Sequence, residues 1–184
     1  MINGKIPVSV IIVSFNTKEL TRKALSALYN SEKLPEQIIV VDNNSTDGST
    51  GMIRTEFSGV ILIESKENLG FAKANNLAIR EKVNQPYLWL LNSDTETGAQ
   101  TLGELYKYME AYPQIGALGP QLIYPDGKQQ SVGGYFPSPL NVLRHLLSLG
   151  FFLPKIYRRK FKDLALYPQR LPAEGLNLDY ITGA

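Results

Sequence analysis

Four short polar groups in this chain each follow an apolar run, and their residue types suit oxygen-based recognition of a phosphorylated ligand. They are Ser14 and Asn16 after residues 8–13, Asp42 and Asn44 after residues 37–41, Asn68, Gly70 and Lys73 beyond residues 60–63, and Asn92, Ser93 and Asp94 after residues 87–91. Hard divalent cations take oxygen donors, so Asp94 is the first candidate to hold a cation that carries a diphosphate, with Asn92 a weaker partner. An Asn-x-Asp step also caps ordinary turns. The repetition of polar exits upstream is what points to a ligand instead.

The elements that must position these groups follow from the apolar pattern. Residues 8–13 form a β-branched run, apolar on both faces from Val10, which predicts a central strand. Residues 37–41 predict a second buried strand, and residues 60–63 predict a third strand. Residues 87–91, Tyr-Leu-Trp-Leu-Leu between Pro86 and Asn92, predict a strand buried on both faces in the middle of a parallel sheet. Ligands of such sheets bind beyond the carboxyl ends of the strands.

Between the strands lie helical patterns. Asn16 or Thr17 can cap a helix with Glu19 as its capping-box acid and Leu20, Ala24 and Leu28 on one face, and Pro35 stops the connection to the next strand. Asp47 or Ser49 can begin a helix that turns Met52, Ile53 and Phe57 inward. Gly70 permits a tight turn into an Ala-rich helix. Residues 99–112 predict an amphipathic helix with Leu102, Leu105, Tyr106 and Met109 facing the core, followed by a fifth short strand at residues 115–118. This βαβ rhythm implies parallel pairing with right-handed crossovers, and it ends near residue 120.

Beyond that point Tyr124-Pro125-Asp126-Gly127-Lys128 is a turn signal, and residues 129–136 suggest an antiparallel excursion. A helix predicted from Ser138 places Leu140, Leu143, Leu147 and Phe151 on one face. It leads into a basic stretch with Lys155, Arg158, Arg159, Lys160 and Lys162. Residues 140–162 therefore suit peripheral contact with anionic lipid, or equally a packed helix and a solvated loop. Residues 178–182 open another strand.

Composition narrows the chemistry. The 184 residues, 43% of them hydrophobic, can bury one sizeable core, and a formal charge of +2 does not argue for nucleic acid. With no cysteine and His145 the only histidine, disulfides, thiolate metal sites and histidine-rich zinc centres are excluded. No stretch reaches the roughly 18 apolar residues that a membrane span needs, and the expected location is cytoplasmic, with association to the inner face of the membrane through residues 140–162. No Gly-x-Gly-x-x-Gly or Gly-x-x-x-x-Gly-Lys-Ser/Thr occurs, which argues against dinucleotide-dependent dehydrogenases and P-loop proteins. A receiver-type domain would need an acidic cluster after its first strand.

Five segments in order resemble the family 2 glycosyltransferases of the GT-A fold, most closely their rhamnosyltransferase-like branch. They are Val8-Ser9-Val10-Ile11-Ile12-Val13-Ser14-Phe15-Asn16, the run from Ile39 through Asp42-Asn43-Asn44-Ser45-Thr46-Asp47-Gly48-Ser49, Asn68-Leu69-Gly70-Phe71-Ala72-Lys73-Ala74-Asn75-Asn76, Leu90-Leu91-Asn92-Ser93-Asp94, and Ile181-Thr182-Gly183-Ala184. The resemblance implies a Rossmann-like α/β fold, a mostly parallel sheet flanked by helices. Residues 1–120 would bind the nucleotide-sugar donor, and residues 121–184 would begin an incomplete acceptor side. It implies inverting transfer of a sugar from a nucleoside diphosphate to a hydroxyl of a glycan or lipid-linked acceptor, assisted by Mg²⁺ or Mn²⁺, in polysaccharide or cell-surface glycan assembly.

By the same resemblance Asp94 holds the cation, Asp42 bonds a pyrimidine base, and Ser14, Asn16, Asn44 and Ser93 line the nucleotide pocket. Asn68, Gly70 and Lys73 stand beside the ribose and diphosphate. The metal motif begins here with Asn92 instead of a second carboxylate, so the cation would lean on the donor's phosphates. The family's catalytic base is expected beyond Ala184; Asp179, the nearest acid, has no motif match. Two alternatives share the layout: a sugar-nucleotide-binding protein without chemistry, and a sugar-nucleotide nucleotidyltransferase, whose glycine-rich phosphate loop is missing here.

Overall fold

The computed structural model describes residues 4–130, 133–134 and 180–181. The chain divides into two compact units, Met1–Gly116 with Gly183–Ala184, and Ala117–Thr182. In the first, strands β1 (Ile6–Ser14), β2 (Pro35–Asp42), β3 (Ile61–Glu64) and β4 (Tyr87–Asn92) form one sheet in the order β3-β2-β1-β4. Every pairing is parallel. Helices α1 (Lys18–Tyr29), α2 (Ser49–Glu56) and α3 (Gly70–Glu81) connect successive strands, and α4 (Thr101–Ala111) follows β4.

Strand alternation sorts the side chains of β1 and β2 into two cores. Val8, Val10, Ile12, Ile38 and Val40 join Ala24, Leu25 and Leu28 of α1, Met52 and Ile53 of α2, and Leu102 of α4. Ile11, Ile39 and Val41 join Ala74 and Ala78 of α3 on the other face, and small alanines let this helix lie close to the sheet. Each fully buried aliphatic side chain contributes about 1.5–3 kcal/mol of transfer free energy. One polar relay interrupts the apolar packing. The buried Ser9 hydroxyl donates to Gln37 Oε1 at 2.6 Å, and Gln37 Nε2 donates to the Lys82 carbonyl at 2.7 Å, joining β1, β2 and the end of α3.

Four expectations from the sequence are corrected. β4 is an edge strand among the described residues, not the middle of the sheet. Tyr87, Trp89 and Leu91 pack on the first core, whereas Leu88 and Leu90 are 40% and 42% exposed, because the core under α3 draws on β1, β2 and β3 and takes in no residue of β4. Residues 115–118 form no strand, and the Ile115 N–H instead closes a turn on the Tyr112 carbonyl at 3.0 Å. Pro35 opens β2 instead of ending a connection, since a strand's first residue can lack an N–H donor. Leu102 is the buried residue of α4 and Tyr106 packs beside it, while Leu105 and Met109 are half-buried and outside the core.

In the second unit the turn at 124–128 forms as its residues dictate. Tyr124 N–H bonds the Lys128 carbonyl and Gly127 N–H the Tyr124 carbonyl, both at 2.8 Å, with Gly127 at φ 81°. Strand β5 (Gly133–Gly134) pairs antiparallel with β6 (Tyr180–Ile181). The helix expected from Ser138, the basic stretch to Lys162, Asp179 and the Thr182-Gly183-Ala184 segment lie outside the described residues. Among the described residues no helix is long and apolar enough to cross a membrane.

Candidate functional site

Because the four strands run one way, their carboxyl ends share one sheet edge. Ser14 pairs with Asp42, Asp42 with Glu64, and Val13 with Asn92. The exits carrying Asp42 and Asp94 thus flank the exit of β1, and two strand spacings separate β2 from β4 by roughly 10 Å.

The β1 exit serves mainly to fasten the edge together. Asn16 takes a left-handed conformation at φ 52°, uncommon outside glycine but tolerated by asparagine. There its N–H donates to Ser45 Oγ at 2.9 Å and its Oδ1 accepts the Thr46 N–H at 2.8 Å. The helix α1 is held by the same neighbouring loop. The Lys18 N–H donates to Asp47 Oδ2 at 2.8 Å, so a side chain 29 residues away does what a local capping box was expected to do. Glu19 pairs with Arg22 instead, and Arg22 also bonds Glu56 of α2. Burial pushes the Asp47 carboxyl up, but the Ser49 hydroxyl and the N–H groups of Lys18 and Ser49 outweigh it and hold Asp47 below its ordinary value.

Ser14 is fully buried, its hydroxyl 3.0 Å from those of both Thr17 and Thr21. Its side chain is spent on packing and does not line an open pocket, while its carbonyl accepts the Asn43 N–H at 2.8 Å. Asp42 contrasts with it. The residue is 2% exposed, its Oδ1 accepts the Ser45 N–H at 2.9 Å, and its Oδ2 is buried without a partner among the described residues. A buried carboxylate oxygen without a donor is costly, and it marks a place where a ligand N–H would be stabilised. Asn44 follows at φ 68° with an exposed side chain.

Asn68 folds its Oδ1 onto the Gly70 N–H at 2.9 Å, and Gly70 starts α3 at φ 72°, a conformation that favours glycine. Lys73 is exposed one turn further on. At the β4 exit the Asn92 carbonyl accepts the Thr95 N–H at 3.2 Å, Ser93 Oγ accepts a hydrogen bond from the Thr17 hydroxyl at 3.2 Å, and Asp94 is exposed without a side-chain partner among the described residues. Among the described residues no three or more His, Cys, Asp or Glu side chains converge as a metal centre. The donors at this exit are hard oxygens, which fit Mg²⁺ or Mn²⁺.

Sequence reasoning passed over several residues at this edge. Asn43, 2% exposed, and Asn75, 4% exposed, each bury an amide oxygen without a partner among the described residues. Phe15 and Phe71 expose large rings, 46% and 48%, at the β1 exit and the start of α3. Thr17 and Thr21 join the exits of β1 and β4 through hydroxyls, and their spacing of four on the first turns of α1 was the available signal. A cleft of about 420 Å³ lies between Ile6, Glu32, Lys33 and residues 99–107, another of about 400 Å³ between α1 and residues 96–99, and neither is lined by a candidate residue.

This sheet and edge are those of a nucleotide-diphospho-sugar transferase fold, and the chain belongs to glycosyl transferase family 2, whose model matches residues 9–166. It is 26% identical over 179 residues to N-acetylglucosaminyl-diphospho-decaprenol L-rhamnosyltransferase of Mycobacterium tuberculosis, a match covering 91% of this chain and 58% of that protein. It is 30% identical over 115 residues to glycosyltransferase GlyA of Streptococcus pneumoniae, covering 61% of this chain and 16% of that one. The chain thus spans little more than half the length of the rhamnosyltransferase. Among solved structures, the mannosyltransferase PcManGT of Pyrobaculum calidifontis, in complex with GDP-Man and Mn²⁺, matches with a TM-score of 0.58 and 26% identity over 65% of this chain and 36% of its own. TarS 1–349 of S. aureus in complex with UDP-GlcNAc shares the fold at a TM-score of 0.52 and 19% identity, over 69% of this chain and 39% of its own.

Proposed function

We propose that this chain supplies the donor-binding part of an inverting glycosyltransferase, which moves a sugar from a nucleoside diphosphate to an acceptor hydroxyl. The observation that carries the proposal is the pair of unlike carboxylates on one sheet edge: Asp42, buried with one oxygen unpartnered among the described residues, and Asp94, exposed and without a side-chain partner among them. Asp42 Oδ1 already accepts the Ser45 N–H, and Oδ2 is the oxygen left without a donor among the described residues. That suits the lone imide N–H of uracil or thymine better than the paired N1–H and N2–H donors of guanine. The exposed ring of Phe15 offers a wall against which a base can stack.

Asp94, aided by Asn92, would hold the divalent cation, with the donor's phosphates completing its shell. When bound, such a cation neutralises charge developing on the leaving diphosphate. Gly70 and Lys73 stand where backbone approach and a positive charge would favour phosphate. In the transfer itself the acceptor oxygen bonds the anomeric carbon as the bond to the diphosphate breaks, and the acceptor's proton passes to a base. No described residue is assigned that last role. The mycobacterial relative, by its name, acts on a lipid diphosphate acceptor, which supports a lipid-linked acceptor for this chain and a place in cell-surface glycan assembly.

A thermal-shift panel of UDP, dTDP, GDP and CDP, each with and without Mn²⁺, tests this. UDP or dTDP should raise the midpoint most, by the equivalent of about 2.7 kcal/mol at a hundredfold excess over Kd, and Mn²⁺ alone should do little. No response to any nucleotide, or tight binding of Mn²⁺ alone, contradicts the proposal.

A further inference from the structure

The hydroxyls of Ser14, Thr17, Thr21 and Ser93 form a connected group across β1, α1 and the exit of β4. The separations are 3.0 Å for Ser14 to Thr17, 3.0 Å for Ser14 to Thr21, 3.1 Å for Thr17 to Thr21, and 3.2 Å for Thr17 to Ser93. Each hydroxyl has one proton to give and can accept from others. Thr17 gives its proton to Ser93. Ser14 and Thr21 are fully buried and cannot turn to water, so their protons fill the contacts inside the group and one of them must point at Thr17. The group therefore runs one way and ends at Ser93 Oγ.

That direction leaves Ser93 with an accepted hydrogen bond and a proton that has no acceptor among the described residues. A hydroxyl that accepts a hydrogen bond becomes a better donor, and Ser93 is half-buried immediately before the exposed Asp94. We infer that Ser93 donates its hydroxyl proton to a phosphate oxygen of the nucleoside diphosphate, and that Thr17 is the positioning residue that orients it. The inference rests on the donor-binding role proposed above. It assigns a phosphate contact to Ser93 and a purpose to Thr17.

The test compares binding of uridine and of UDP with Mn²⁺ for the parent chain, Thr17→Val, Thr17→Ser, Ser93→Ala and the double variant Thr17→Val/Ser93→Ala. Thr17→Val and Ser93→Ala should each weaken UDP about fivefold to tenfold while leaving uridine within twofold. The double variant should be no worse than Ser93→Ala, since the two act as one unit, and Thr17→Ser should restore binding. UDP affinity within twofold of the parent in Ser93→Ala overturns the inference, as does an equal loss for uridine and UDP. Ser93→Ala at a half-exposed position decides the matter if Thr17→Val folds poorly. A parent chain that binds no UDP sinks the donor-binding role itself, which a parent that binds UDP with inert variants does not.

Discussion

Strands β2 and β4 read alike in the sequence, each an apolar run ending in an acid, yet the molecule treats them differently. β2 lies between two other strands with helices over both faces, and its exit buries Asp42. β4 is a strand edge among the described residues, bare on its Leu88/Leu90 face, and its exit leaves Asp94 in solvent. The difference separates two kinds of recognition. A buried, half-partnered carboxylate favours one N–H in a fixed direction. An exposed one can share a hydrated cation with a mobile diphosphate.

The largest effect expected from this contrast is on stability. Ile39→Ala, at a fully buried site of β2, should cost about 2–5 kcal/mol. Leu90→Ala should cost under about 1 kcal/mol by denaturant titration, and equal costs would erase the distinction. Next come the acids. Asp42→Asn should weaken UDP tenfold or more, since hydrogen bonds to charged groups are worth about 1.5–3 kcal/mol. Asp94→Asn should keep the parent's midpoint within about 0.5 kcal/mol but remove the gain in UDP affinity that Mn²⁺ brings. Calorimetry that found the two variants interchangeable would break the comparison.

The smallest effect concerns the clamp between the loops after β1 and β2. Asp47 is held below its ordinary value of 3.8, so its contribution is present above that pH and is lost as pH falls through the lower folded value. Asp47 is exposed, so solvent screening keeps the term under about 1 kcal/mol. The midpoint gap between the parent and Asp47→Asn should therefore shrink between about pH 6 and about pH 2. A gap constant over that range would mean that Asp47's charge does not matter to the clamp.

Much of the fold was legible because its signals are local. The β-branched runs, Gly70 before an Ala-rich helix and the Pro-Asp-Gly turn at 125–127 fix backbone conformation within a few residues. What was not legible depends on distant coverage. An all-apolar strand reads the same at the edge or the middle of a sheet, and only the position of α3 decides which face of β4 stays bare. The cap of α1 comes from Asp47 across 29 residues, beyond any capping-box pattern. At the site, the residue types at the strand exits were readable, but Ser14 and Asn16 turned inward or sideways because nearby hydroxyls and amides claimed them. Those competing partners appear only when the loops meet.

The claim that one nucleotide spans both exits is tested most directly by a crystal soaked with 5-bromo-UDP and Mn²⁺, which carries an anomalous scatterer at each end. The bromine should appear on a base bonded to Asp42, and the manganese against Asp94, on the same sheet edge. Either peak elsewhere, above all in the clefts that residues 96–107 line, would contradict it.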